Sequence, residues 1–472
     1  MNKKTSVFFN ASIWYIIANC LGQGIMLLSS IIFTRIMSQE HFGLYTTYYS
    51  IVVLFAPFVG ANLFIGLNNG YFDFKEDRKN FRASILFLSA LIFIFVTIIS
   101  IAFTCLFNKV SNKSLSIVIL IFALFHSYAF FVITYYNNYA NMENRYKIKS
   151  LLMMLPNILQ VIFGILLIYG IKSNSYYGRV IGSTIGISCC AIFLFIVMLA
   201  GNYNLWNTMY YSYALKISIP SILSSISYII MQQSDHIMIT EFVGAKFTAV
   251  YGLVYCIGNI LYAFLQATSG AFHSWAFHAL DSGRFLSIKL IQKWYLFFFL
   301  ILSVGLLMIS PEVIKILAPS SYWDFRYIPP FLAGSCMLVL NSFYSTVGEF
   351  YKKAGKVSLC VAAAAVSNII LNFIFIPKYG AIAAAYTSFV SYIFLALLGR
   401  ILIQVVHKGL YSDMFFLFFS FFVFLNCILF IYVCERPILR YCSYSVVLIG
   451  LCYYAYLKQN EILGLVRKND NT

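Results

Sequence analysis

Apolar runs of membrane-spanning length, separated by short polar breaks, recur along the whole chain. A transmembrane helix needs about 20 predominantly apolar residues. Fourteen stretches meet that length, roughly 11–34, 44–69, 83–107, 115–139, 150–171, 178–201, 217–240, 248–272, 294–318, 327–350, 358–376, 381–404, 414–434 and 441–457. The pattern predicts an all-α polytopic membrane protein with about 14 transmembrane helices. The longest connections, about 202–216 and 273–293, are too short to fold as domains. The first run follows Met1-Asn-Lys-Lys4 in the manner of a secretory signal. It continues to Thr34 without a small-x-small cleavage site, so it is expected to persist as the first transmembrane helix.

The chain also resembles itself. At an offset of 206, Ile31-Ile-Phe-Thr-Arg35-Ile-Met-Ser38 falls on Ile237-Met-Ile-Thr-Glu241-Phe-Val-Gly244, and Gly43-Leu-Tyr45 on Ala249-Val-Tyr251. At an offset of 202, Tyr177-Gly178-Arg-Val-Ile-Gly182 falls on Tyr379-Gly380-Ala-Ile-Ala-Ala384, continuing to Gly186 against Ser388. Small residues every four positions form a smooth stripe that lets helix backbones approach closely. Their recurrence six helices apart predicts two six-helix lobes in the same orientation, pseudo-symmetric about the membrane normal, around a central cavity. The expected divisions are an N-terminal lobe at 1–201, a cytoplasmic linker at 202–216, a C-terminal lobe at 217–404, and two extra helices with a cytoplasmic tail at 405–472.

Composition agrees with this pattern and narrows it. Of 472 residues, 61% are hydrophobic and 10% charged, where soluble domains run near a quarter charged. A sizeable soluble domain is thereby excluded. The net charge of +17 would suggest a nucleic acid partner in a soluble chain. In a membrane chain the positive charge instead marks the cytoplasmic loops. With the N-terminus inside, the inner connections receive Lys3, Lys4, Lys75, Arg78, Lys79 and Arg82, then Arg145, Lys147, Lys149 and Lys216. They go on to receive Arg284, Lys289, Lys293, Lys352, Lys353 and Lys356, then Arg400, Lys408, Lys458, Arg467 and Lys468. These are 21 of the 32 Lys and Arg, which predicts both termini in the cytoplasm and no nucleic acid partner. The 11 cysteines show no CxxC or Cys/His spacing, and read as small buried apolar residues rather than metal ligands or disulfides.

Several segments together resemble the polysaccharide flippases of the multidrug/oligosaccharidyl-lipid/polysaccharide exporter superfamily, especially Wzx-type O-antigen flippases. They are Thr34-Arg-Ile-Met-Ser-Gln-Glu-His-Phe-Gly-Leu-Tyr45, Lys216-Ile-Ser-Ile-Pro220, Asp235-His-Ile-Met-Ile239 with Val250-Tyr251, and Ala354-Gly-Lys356. Asn368-Ile-Ile-Leu-Asn372 and Ile376-Pro-Lys-Tyr-Gly-Ala-Ile-Ala-Ala-Ala385 complete the set. Ala383 stands where the pattern expects glycine. The resemblance covers roughly residues 10–400. It implies a non-enzymatic, cofactor-free protein of the cell inner membrane that moves oligosaccharides on undecaprenyl diphosphate from the cytoplasmic to the periplasmic leaflet. Implied partners are that lipid-linked oligosaccharide, membrane lipids, the polymerase and chain-length machinery of the same pathway, and a proton or sodium as coupling ion.

A sugar diphosphate carries charge and many polar groups, and leaving these unpaired in hydrocarbon is prohibitive. Cations and amides facing a cavity would be needed. The substrate candidates are Arg35, Asn62, His126, Lys216, Gln232, Gln233, Gln266, Arg284 and Lys293. Each has a plainer alternative: snorkelling for Arg35, a hydrogen-bonded core for His126, interhelical bonding for the amides, and orientation alone for Lys216, Arg284 and Lys293. Asp235 and His236 lie about 28 Å of helix beyond Lys216, deep enough to carry a coupling proton. Asp235 or Glu241 paired with Arg35 is the structural alternative. Glu349, beside Lys352 and Lys353, reads as a gate or a local ion pair. A drug-cation antiporter of the same superfamily would favour acidic groups in its cavity, whereas charge here is mixed. A glycan polymerase or ligase resembles its relatives in carrying a large external loop, for which this chain has no room.

Overall fold

The computed structural model describes residues 21–458, except 23, 111–115, 144, 172–173, 202–203 and 411–412. Lys3, Lys4, Arg467, Lys468 and the first half of the predicted first span lie outside the described residues. The first span is represented by α1 (Gly24–Ile36). It is followed by α2 (Gln39–Val59), α3 (Leu63–Asp73), α4 (Arg78–Val110), α5 (Ile117–Met142), α6 (Tyr146–Gly170), α7 (Ser175–Leu199) and α8 (Thr208–Phe242). Then come α9 (Ala245–Asp281), α10 (Phe285–Leu317), α11 (Ile328–Phe350), α12 (Ala354–Tyr379), α13 (Ala381–Val406), α14 (Asp413–Val433) and α15 (Pro437–Leu457). Among the described residues 13 helices are long and apolar enough to cross a membrane, one for each predicted span from the second to the fourteenth.

Two expectations about the connections are corrected. The predicted loop 273–293 is almost entirely helix, because α9 runs to Asp281 and α10 starts at Phe285. The turn between them is a Schellman closure in which Arg284 N donates to Ala279 O at 2.8 Å and Gly283 N to Leu280 O at 3.1 Å. Gly283 supplies the required left-handed residue, φ +69°. Likewise α8 starts at Thr208, inside the predicted linker. Polar residues such as His273, Lys289 and Tyr213 lower the hydropathy without interrupting helical hydrogen bonding, so hydropathy marks the membrane edge and not the helix end.

The predicted second span, 44–69, is broken. Ala61 and Asn62 both adopt positive φ, 45° and 50°, and separate α2 from α3. Pro57 lies in the last turn of α2, and Gly60 packs so tightly that an added Cβ would sit 2.0 Å from the Phe131 ring. Asparagine is among the few residues that tolerate this backbone region.

The chain folds as two compact units, divided between Thr240 and Glu241. In the first, α5 runs through a core built from Phe81, Ile85, Phe131, Tyr135, Leu194 and Tyr210. The Gly178, Gly182 and Gly186 stripe of α7 faces α6, where an added Cβ would stand 2.8, 2.5 and 2.6 Å from α6 backbone atoms. The close backbone approach expected of this stripe is therefore observed. In the second unit α11 is buried on all sides; only Ser342, Ser345, Glu349 and Phe350 escape full burial. Such a helix is apolar all round because it has neighbours all round. On α12 and α13, Asn368 Nδ2 donates to Ser388 Oγ at 3.0 Å and Asn372 Nδ2 to Asn368 Oδ1 at 3.3 Å, while Thr387 donates to Asn372. Both asparagines are 0% exposed. The Asn368 to Asn372 segment that carries much of the resemblance thus acts as interhelical packing.

Candidate functional site

Two polar regions are built into the apolar helices, one in each unit. The first is a seam joining α8 to α2 and α3. Gly66 N donates to Ser218 Oγ at 3.1 Å, Asn62 Nδ2 to Ser225 Oγ at 2.9 Å and Ser50 Oγ to Gln233 Oε1 at 2.8 Å; Thr47 and Thr240 pair through their hydroxyls. The α8 residues recur every seven or eight positions, which keeps them on one face. From Ser218 to Thr240 the seam is about 33 Å long at 1.5 Å per residue, the thickness of a bilayer core. The break at Ala61 and Asn62 is what turns the Asn62 amide towards α8. Asn62 and Gln233, both candidates from sequence, therefore meet the interhelical role.

The second region is an open cavity of about 310 Å³ bordered by α9, α10 and α11. From α9 come Ser269, Phe272, His273 and Ser274; from α10, Tyr295; from α11, Ser342 and Thr346. Ser342, Thr346 and Glu349 stand at i, i+4 and i+7, so one face of α11 turns toward the space. His273 Nε2 lies 2.9 Å from Glu349 Oε2, and the Tyr295 hydroxyl pairs with Thr268. Phe272 packs edge-on to Phe343 with centroids 4.4 Å apart, and lies 5.7 Å from Tyr295. The result is a set of hydroxyls and one imidazole–carboxylate pair over an aromatic floor. The Glu349 carboxylate lies against the His273 imidazole rather than a neighbouring lysine. His273 escaped notice because it fell at the start of a supposed loop. Gln266, Ser269 and His273 at i, i+3 and i+7 were the available signal of a shared helical face.

The remaining candidates are dispersed. His126 is 1% exposed, lies between Tyr48 and Tyr49, and places Nδ1 3.3 Å from the Tyr48 hydroxyl; this is the surroundings of a core histidine. Asp235 and His236 are buried within the first unit, at 2% and 3% exposure, and Gln232 is half-buried beside them. Lys216, Glu241 and Arg35 are exposed, with Arg35 Nη1 donating to Ile31 O at 2.8 Å. Gln266 is exposed and donates to the Tyr262 hydroxyl at 2.6 Å. Arg284 Nε donates to Ser282 Oγ at 2.8 Å, and Lys293 Nζ lies 5.2 Å from the Trp294 ring and 5.6 Å from the Tyr454 ring. Neither Arg284 nor Lys293 lines the cavity.

A buried cation of the first unit has no counterpart among the sequence candidates. Arg179, on the stripe of α7, is 6% exposed. Its Nη1 donates to Gln160 O at 2.9 Å, and its guanidinium lies 3.5 Å from the Phe33 ring and 4.6 Å from the Tyr45 ring. Ring faces and a carbonyl stabilise the charge where hydrocarbon would not. The stripe drew attention to its glycines, and the arginine between them was passed over.

Comparison with known proteins follows the same lines. The family described as "Polysaccharide biosynthesis protein" matches residues 9–272. No curated protein sequence matches the chain. Among solved structures, the chain is similar to the lipid II flippase MurJ in an inward closed conformation, with 18% identity and a TM-score of 0.66, covering 95% of this chain and 100% of that one. It is similar to an inward-facing multidrug resistance MATE family transporter of the MOP superfamily, with 15% identity and a TM-score of 0.62, covering 83% and 95%. An outward-facing multidrug resistance MATE family transporter gives 14% identity and a TM-score of 0.55, covering 84% and 96%. At these identities the likeness is one of fold. With more than half its length matched by one family, the chain belongs to the polysaccharide biosynthesis protein family, and it has the fold of the MOP-superfamily transporters.

Proposed function

We propose that this protein is a flippase that moves undecaprenyl-diphosphate-linked oligosaccharide units, of O-antigen or a related surface polysaccharide, from the cytoplasmic to the outer leaflet by alternating access. It performs no covalent chemistry. It resides in the cytoplasmic membrane with both termini inside, as the distribution of Lys and Arg favours. The observation that carries the reading is the hydroxyl-rich cavity of the second unit, set among helices long and apolar enough to span a bilayer. Polar groups there replace the hydration that a glycan headgroup loses on entering the membrane, while the prenyl tail stays in lipid.

A drug-cation antiporter is the competing reading within the same fold. Its cavity should offer a carboxylate to the cation, whereas among the described residues neither Asp nor Glu lines this cavity, and the nearby Glu349 is engaged by His273. The decisive experiment is a clean deletion. It is expected to abolish the surface glycan and trap lipid-linked oligosaccharide on the cytoplasmic leaflet. Normal glycan display in a strain without a second such protein would overturn the proposal.

A further inference from the structure

The cavity of the second unit has a chemistry of its own, distinct from what a diphosphate requires. Its lining offers hydroxyls from Ser269, Ser274, Ser342, Thr346 and Tyr295, each able to donate and to accept. Neither lysine nor arginine lines it among the described residues. A diphosphate placed there would lack the cations it needs. A sugar ring presents the complementary surface: hydroxyls around its rim, and an apolar C–H face suited to the Phe272 and Tyr295 rings. The volume of about 310 Å³ is near the lower bound of small-molecule sites, roughly 300 Å³. That is room for a sugar unit.

Position gives the cavity a direction. Glu349 is the penultimate residue of α11, and Tyr295 lies ten residues into α10, about 15 Å of helix from its start. The cavity therefore belongs to the end of the second unit where α10 begins and α11 finishes. The same helix ends carry Arg284, Lys289, Lys352, Lys353 and Lys356, the residues that mark the cytoplasmic side. Cations stand around that end while hydroxyls and rings occupy the interior. Glu349 holds the lining residue His273 through Oε2, and so positions the imidazole that meets a sugar hydroxyl.

We infer that the α9–α10–α11 cavity is a saccharide subsite, which receives a sugar of the lipid-linked glycan at the cytoplasmic end while the basic residues around it attract the diphosphate. This rests on the flippase reading and adds to it the part of the substrate that this unit recognises. The test uses the full-length protein in detergent and native mass spectrometry. Two probes are titrated: undecaprenyl diphosphate, and the lipid-linked oligosaccharide extracted from the deletion strain. The wild type is expected to bind the glycosylated lipid at least tenfold more tightly. Both Glu349→Gln and the pair Ser342→Ala with Thr346→Val are expected to bring that ratio towards one while leaving undecaprenyl diphosphate binding in place. Should one variant fail to fold, the other reads the same ratio. Equal binding of the two lipids by the wild type, or a ratio preserved in the variants, overturns the saccharide subsite alone. A wild type that binds neither lipid, or a deletion strain that accumulates no glycosylated lipid, overturns the flippase reading beneath it.

Discussion

Arg440 Nε donates to the carbonyl of Met308 at 3.0 Å, fastening α15 to α10. The same guanidinium reaches Cys434 O and Glu312, and the side chain is 1% exposed. Three acceptors arranged around one planar group need the guanidinium fork, which an ammonium does not reproduce. Arg440→Lys is expected to cost about 1.5–3 kcal/mol, the range for hydrogen bonds to a charged group. The loss should appear as a lower unfolding temperature and faster proteolysis between α14 and α15. An unchanged melting curve would show that the last two helices are held by their apolar contacts alone.

Two helical glycines, Gly182 on the α7 stripe and Gly305 on α10, make predictions of opposite sign. Gly182→Ala places a methyl 2.5 Å from Phe163 O, and overpacking of this kind costs about 1–3 kcal/mol. Nothing lies within 4 Å of a Cβ added at Gly305 in α10. There Gly305→Ala should gain up to about 1 kcal/mol from helix propensity. Thermal unfolding of both variants in the same detergent checks the pair, and equal shifts would mean that the close approach of α6 and α7 does not govern stability.

The seam on α8 is open to a double-mutant cycle. Asn62→Ala and Ser225→Ala remove the two ends of one 2.9 Å hydrogen bond. Interhelical bonds of this kind in membranes couple by about 0.6 kcal/mol, reaching about 1.7 at most. A coupling energy within that range is expected from unfolding measured on the four proteins; zero coupling would remove the bond as a determinant of how α3 meets α8.

Asp235, 2% exposed in the first unit, is the sequence candidate for ion coupling. Under the proposed function, Asp235→Asn should lower translocation of the glycosylated lipid at least tenfold with expression unchanged. Undiminished surface glycan would take Asp235 out of the mechanism.

The spans were legible because a bilayer imposes length and apolarity directly on the chain. The Gly178, Gly182 and Gly186 stripe was legible for a similar reason: close packing demands small residues at helical spacing. Features set by tertiary contact were not. Nothing in the hydropathy of Ala61 or Asn62 announces a break; it accompanies the close packing of Gly60 on Phe131, a residue in another helix. Hydropathy also concealed the ends of α8 and α9, and with them His273. The Asn368 to Asn372 segment gave the opposite difficulty, since residues that carry the resemblance proved to be buried packing. The cavity emerged only once α9, α10 and α11 were placed together.

The full length of α9 has a mechanical meaning. Its 37 residues extend about 55 Å at 1.5 Å per residue, with no proline among them. Tyr251 anchors one end against Phe331 at 4.9 Å between ring centroids, and His273 lies 22 residues further along, about 33 Å away. A helix of this length, if it moves as one rod, acts as a lever arm about that contact. Tilting it by about 10° about Tyr251 would displace His273 by about 6 Å over that arm, enough to part it from Glu349. Under the saccharide-subsite proposal, small rotations at the Tyr251 end of α9 would in this way open and close the cavity at its other end.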